Sequence, residues 1–212
     1  GGGGASHRLF SAETHKIFSH RPAPGLFNTL TVLWGIYSLY TVLIALLMVA
    51  AGTSVFDGIV HSFTCLSTGG YSPYDASIAH YRQAGYEHYI AIEYILTFGM
   101  ILGGTNFFVH FRLCSGDYES LWDNLEVRIW WLILGGATVL IFLDHSIRAG
   151  FVDLEANFRA SLFQVVSIAT TTGFATKDIG NADFFPGMSR QIFLILMLIG
   201  GCVGSTGGGI KV

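Results

Sequence analysis

Thr68-Gly69-Gly70-Tyr71-Ser72 returns 103 residues later as Thr171-Thr172-Gly173-Phe174-Ala175, and the same shift lays Asp75 over Asp178. Each copy closes an apolar stretch, Val55 to Thr68 in the first and Phe158 to Thr171 in the second. Neither is long enough to cross a bilayer; an apolar segment of about 10–14 residues reads as a re-entrant helix instead. Longer apolar elements flank both: Leu26 to Ala51, about Tyr89 to Phe111, about Val127 to Leu143, and one from Arg190 that dissolves into glycine after Ile199. A membrane-crossing helix takes about 20 such residues. Glu93 stands out as a charge near the start of the second span.

The chain therefore reads as two copies of one unit: span, half-length helix, loop, span. The expected divisions are a lead-in over 1–25, a first unit over 26–112, a linker over 113–126 and a second unit over 127–212. Each unit crosses twice and returns to its starting side, so the copies run in the same direction and belong around an axis along the membrane normal. The fold class is an all-α membrane protein of repeated units arranged around that axis.

Composition agrees. Hydrophobic residues make up 51% of the chain and charged residues 12%, with a mean hydropathy of +0.54, against about 25% charged in soluble proteins. Membrane lipid is the expected surrounding. The net charge of -3 is spread thinly, which leaves no basic patch for nucleic acid and no acidic tail. Cys65, Cys114 and Cys202 lie in or beside apolar runs without ligand spacing and are expected as buried free thiols, while His7, His15 and His20 sit in the polar lead-in. The chain opens on Gly1 to Gly4 without an initiator Met; no signal peptide is expected in it, and both ends are expected to be cuts from a longer protein.

Backbone that leaves a helix at membrane depth must have its N–H and C=O groups satisfied by protein or water, because each orphan costs several kcal/mol. The Thr-x-Gly-aromatic-small pattern of both loops resembles the filter of potassium channels, where main-chain oxygens replace an ion's hydration shell. The residue types suit that chemistry. Gly70 and Gly173 adopt positive φ cheaply, Thr68 and Thr171 add hydroxyl oxygens, and Tyr71 and Phe174 would pack outward to hold the diameter. Asp75 and Asp178 would lie in an outer mouth that concentrates cations. Ordinary surface turns use the same residues; two copies in register, each behind a half-length helix, favour the filter.

The last apolar element runs into Gly200-Gly201-Cys202-Val203-Gly204-Ser205-Thr206-Gly207-Gly208-Gly209-Ile210-Lys211. Glycine costs about 1 kcal/mol per residue in a helix, so the span should break here into a plug or hinge; close helix packing through small residues is the plainer alternative. The stretch is not a Walker A loop, because Ile210 separates Gly209 from Lys211 and no strand precedes it.

Taken together, Thr68 to Ser72 after His61-Ser62-Phe63, Thr170 to Thr176 after Val165-Val166-Ser167, and Ile199 to Val212 resemble the Trk/Ktr/HKT superfamily of potassium transporters, in particular its TrkH-like potassium-translocating subunits. Leu102 to Phe107 with His110-Phe111, and Leu9 to Thr14, fit the same resemblance. It implies repeats two and three of four, with filter walls at Thr68, Gly69, Gly70 and Tyr71 and at Thr171, Thr172, Gly173 and Phe174. It implies an intramembrane gate over Gly200, Gly201, Gly204, Ser205, Thr206, Gly207, Gly208 and Gly209. K+ would be the transported ion, with no organic cofactor. Further implications are a homodimer of the full-length protein, a cytoplasmic nucleotide-binding regulatory ring (TrkA-like), and multi-pass residence in a bacterial inner membrane. The loops 72–88 and 144–189 would lie outside and 111–126 inside, although basic residues divide six to five and give the positive-inside rule nothing to act on.

Two other readings compete. An intramembrane enzyme would have to be built from His61, Cys65 and Glu93. A non-conducting scaffold or regulatory subunit would need no filter at all.

Overall fold

The computed structural model describes residues 26–149, 151–178, 180, 184–185 and 187–211. The lead-in over 1–25, with its three histidines, lies outside them. Among the described residues the chain is helical, with one isolated bridge between Ile199 and Ile210 and no strand.

The first unit opens with α1 (Leu26–Ala50), a turn through Gly52, and α2 (Val55–Leu66). Ser54 caps α2: its hydroxyl oxygen accepts from the Asp57 N–H at 3.0 Å while its proton faces Asp57 Oδ2 at 2.8 Å. This arrangement satisfies a donor that the first turn leaves unpaired. After the Thr68 loop come the short α3 (Ala79–Gln83) and then α4 (Tyr89–Gly104).

The second span differs from the expected continuous run over 89–111. The helix stops at Gly104, and α5 (Phe107–Cys114) departs at 104°. A Cβ on Gly104 would stand 2.6 Å from Thr170 Cγ2, so the absent side chain lets the end of α4 press against the end of the second re-entrant helix. Asn106 then starts the new helix, accepting from the Phe108 N–H at 2.9 Å.

A turn of helix, α6 (Ser120–Asp123), leads to α7 (Leu125–Ala149), longer at both ends than the expected 127–143. The second re-entrant helix, α8 (Leu154–Ala169), begins four residues before the expected Phe158, and α9 (Gly187–Leu198) ends where glycine begins. Among the described residues two helices, Thr29–Ala50 and Leu125–Arg148, are long and apolar enough to cross a membrane, or three crossings if the bent α4–α5 pair is one.

In each unit the re-entrant helix lies against the preceding span, α2 on α1 and α8 on α7, and α4 joins the units by packing on α8 as well as α2. Ile44, Met48, Leu66, Leu96, Trp130, Phe163 and Phe193 form one buried core across both units. Leu46, Phe56, Leu132 and Leu194 are exposed, as suits a surface that faces hydrocarbon. In lipid such packing gains little from water release, so close van der Waals contact through small residues carries more of the stability.

Candidate functional site

The two loops share one backbone construction. In the first, the N–H groups of Gly69 and Gly70 both donate to Thr64 O, at 2.8 and 3.1 Å, and Thr68 N–H to Cys65 O at 3.1 Å. In the second, Thr172 and Gly173 both donate to Ser167 O, at 2.9 and 3.2 Å, and Thr171 to Ile168 O at 3.0 Å. Every partner is displaced by the same 103 residues found in the sequence.

Conformation repeats as well. Gly70 and Gly173 have φ of 66° and 88°, as expected, but Thr68 and Thr171 are also left-handed, at 52° and 59°. Sequence reasoning missed this, because a β-branched residue is among the least suited to positive φ. Each such position costs about 1–3 kcal/mol and persists only where surroundings over-determine it.

The loops touch each other. A Cβ built on Gly70 would lie 1.8 Å from the carbonyl oxygen of Thr172, so the middle of one loop runs directly against the middle of the other. Behind them, His61 Nε2 lies 3.1 Å from Ser72 Oγ, its Nδ1 lies 2.9 Å from Asp57 O, and its ring stands 5.8 Å from that of Phe174. Tyr74 donates to both Asp57 carboxylate oxygens, at 3.1 and 3.0 Å, and tethers the descending chain to the start of α2.

Phe174 is fully buried, whereas Tyr71 is 77% exposed. Asp75 and Asp178 are exposed on the irregular segments that leave the loops; Asp178 accepts from the Gly180 N–H at 2.8 Å. Beside it Lys177 lies over the Phe184 ring at 4.7 Å, and partial burial, with Arg82 and Arg159 nearby, lowers its pKa from the ordinary lysine value. The surroundings of Asp178 are therefore mixed in charge rather than purely acidic.

The glycine segment folds back under both loops instead of continuing α9. It is stitched to the buried C-terminal end of α4, with Cys202 N–H donating to Gly104 O and Thr206 N–H to Gly103 O, both at 3.0 Å. Phe107 N–H in turn donates to Gly204 O at 3.2 Å. Thr68 Oγ1 donates toward Thr206 O at 2.9 Å, sharing its proton with Ser67 O, and Gly208 N–H donates to Thr171 Oγ1 at 2.7 Å. Both loop threonines thus contact this segment, which their neighbours in sequence gave no means of foreseeing.

The groups considered for catalysis are engaged separately. Cys65 Sγ faces Leu96 O at 3.4 Å, His61 holds Asp57 O and Ser72, and Glu93 is paired with Arg159 at 2.7 Å. The thiols need one correction: Cys65 and Cys202 are buried and free, but Cys114 is exposed at the end of α5. Among the described residues no group of His, Cys, Asp and Glu is arranged to hold a metal ion.

Comparison with known proteins adds a family. The family model for TrkH, described as a cation transport protein, matches residues 11–212. The chain is 35% identical over 211 residues to the Trk system potassium uptake protein TrkH of Escherichia coli (strain K12), covering 97% of this chain and 41% of that protein. To the protein of the same name from Halomonas elongata it is 34% identical over 190 residues, covering 89% and 37%. The crystal structure of the potassium transporter TrkH from Vibrio parahaemolyticus superposes with a TM-score of 0.79 at 34% identity, over 89% of this chain and 39% of that one. The chain thus spans about two fifths of the length of these relatives.

Proposed function

The chain belongs to the TrkH family of cation transport proteins, and from that premise we propose that it supplies the second and third walls of a potassium-uptake pore. Families of this kind move ions rather than catalyse reactions. The observation that carries the reading is the pair of loops with one hydrogen-bond pattern, in contact at Gly70 and Thr172, with the glycine segment directly beneath.

Left-handed residues at Thr68 and Gly70, alternating with Gly69, turn successive carbonyls to the same side, and Thr171 to Gly173 repeat the turn. Oxygens lined up in that way replace the water around a dehydrated cation. Around a closed ring, Gly173 would meet the following unit as Gly70 meets Thr172. The C-terminal ends of α2 and α8, where the partial negative charge of a helix gathers, lead straight into the loops and favour a cation there. The segment from Gly200 to Gly209 acts as the gate below.

In this reading the full-length protein is a multi-pass protein of a bacterial inner membrane that pairs as a homodimer and docks a TrkA-like nucleotide-binding ring. The naming of its relatives as parts of a Trk system supports partners within such a system.

The test is uptake by the full-length protein in a potassium-requiring host. Gly70→Ser and Gly173→Ser are expected to lower the potassium-to-sodium uptake ratio. Ratios equal to the wild type for both variants would remove the filter, and wild-type protein that moves no potassium would leave the scaffold reading standing.

A further inference from the structure

We infer that Thr206 and Glu126 are positioning residues that latch the glycine segment in its closed place, an inference that rests on reading 200–209 as the gate. All three polar groups of Thr206 bond to the first unit. Its N–H donates to Gly103 O at 3.0 Å, its hydroxyl faces Leu66 O at 2.7 Å and Gly103 O at 3.0 Å, and its carbonyl accepts from Thr68 Oγ1 at 2.9 Å. Leu66 and Gly103 lie at the C-terminal ends of α2 and α4, where the last carbonyls lack intrahelical partners. A cation passing below the filter would meet those same oxygens. The hydroxyl of Thr206 therefore stands in the cation's place, and the gate must release Leu66 before an ion can use it.

Glu126, in the first turn of α7, holds the other side. Its carboxylate accepts from the N–H of Val203, three residues before Thr206. A charged acceptor makes this bond stronger than a neutral one. Lys211 donates to Gly207 O just beyond Thr206. Between these anchors the backbone has little preference of its own, with Gly204 and Gly209 at positive φ and no side chains to pack. A few side-chain bonds thus select one conformation from many.

The experiment measures potassium uptake by the full-length protein without activating nucleotide, for Thr206→Val, Thr206→Ser and Glu126→Gln. Thr206→Val keeps the shape and loses the hydroxyl, the equivalent of one net hydrogen bond, while Glu126→Gln keeps an acceptor for the Val203 N–H but loses the charge that strengthens the bond; each is expected to raise the resting maximal rate about fivefold on a two-state equilibrium. The half-saturating potassium concentration and the potassium-to-sodium ratio stay at wild-type values, and Thr206→Ser behaves as wild type. A general loss of structure would lower the rate instead. Unchanged resting rates in Thr206→Val and Glu126→Gln, at wild-type membrane content, overturn the latch, and an altered ion ratio reassigns Thr206 to the filter itself. Should Thr206→Val fail to reach the membrane, Glu126→Gln alone decides. Wild-type protein without uptake sinks the transport reading instead, which keeps the two failures apart.

Discussion

Arg159 Nε lies 2.7 Å from Glu93 Oε2, and each side chain is 6% exposed. The pair joins α4 of the first unit to the re-entrant helix α8 of the second, and the guanidinium also reaches Glu155 at 3.2 Å and lies 5.4 Å from the Tyr89 ring centre. Shifted by the repeat, Arg159 falls on Phe56 and Glu93 on Leu196, so this brace has no copy elsewhere in the chain. It fastens one re-entrant helix by charge where the other relies on its Ser54 cap and Tyr74.

Glu93→Gln leaves a buried guanidinium without its main counter-charge. Removing one partner of a buried pair costs about 3–5 kcal/mol, and the contact with Glu155 places this variant toward the lower end. Thermal unfolding of the purified protein in detergent is expected to show a clear drop, largely recovered in the double variant Glu93→Gln with Arg159→Gln.

Gly70→Ala and Gly69→Ala separate backbone need from composition. At Gly70 a methyl group would meet Thr172 O at 1.8 Å with φ at 66°, whereas at Gly69 its nearest neighbour is Ser67 Oγ at 3.3 Å. Gly70→Ala is expected to abolish selective uptake, and Gly69→Ala to retain most of it, measured as potassium-dependent growth and as the potassium-to-sodium ratio.

Asp57 and Tyr74 should couple. Asp57→Asn and Tyr74→Phe each weaken the tie between the start of α2 and the chain descending from the loop. A double-mutant cycle on thermal stability is expected to give an interaction of about 0.5–3 kcal/mol, the range for residues in direct contact; simple additivity would show the tie to be idle.

Thiol labelling checks the packing cheaply. Cys114 should react with a maleimide in the native protein, while Cys65 and Cys202 react only after denaturation. Labelling of all three before denaturation would contradict the close fit of α2 against α4, where Cys65 is fully buried.

The repeat, the half-length helices and the break after Ile199 were legible in the chain because they depend on counts of consecutive apolar residues and on glycine, which act locally. The kink at Gly104 was less so. An apolar run does not betray a 104° turn; only the approach of Thr170 from the other unit makes Gly104 necessary. The same holds for Glu93, visible as an anomalous charge but without a partner until α8 folds against α4.

By itself the sequence determined that this is a two-unit helical membrane protein with matching loops, since hydrophobic length and a 103-residue period need no knowledge of contacts. Tertiary structure alone decided that Thr68 and Thr171 take left-handed backbone, that the loops meet at Gly70 and Thr172, and that Thr206 closes over Leu66. Strain of that kind is paid back by partners more than thirty residues away, and no local pattern of residue types records where such partners will be.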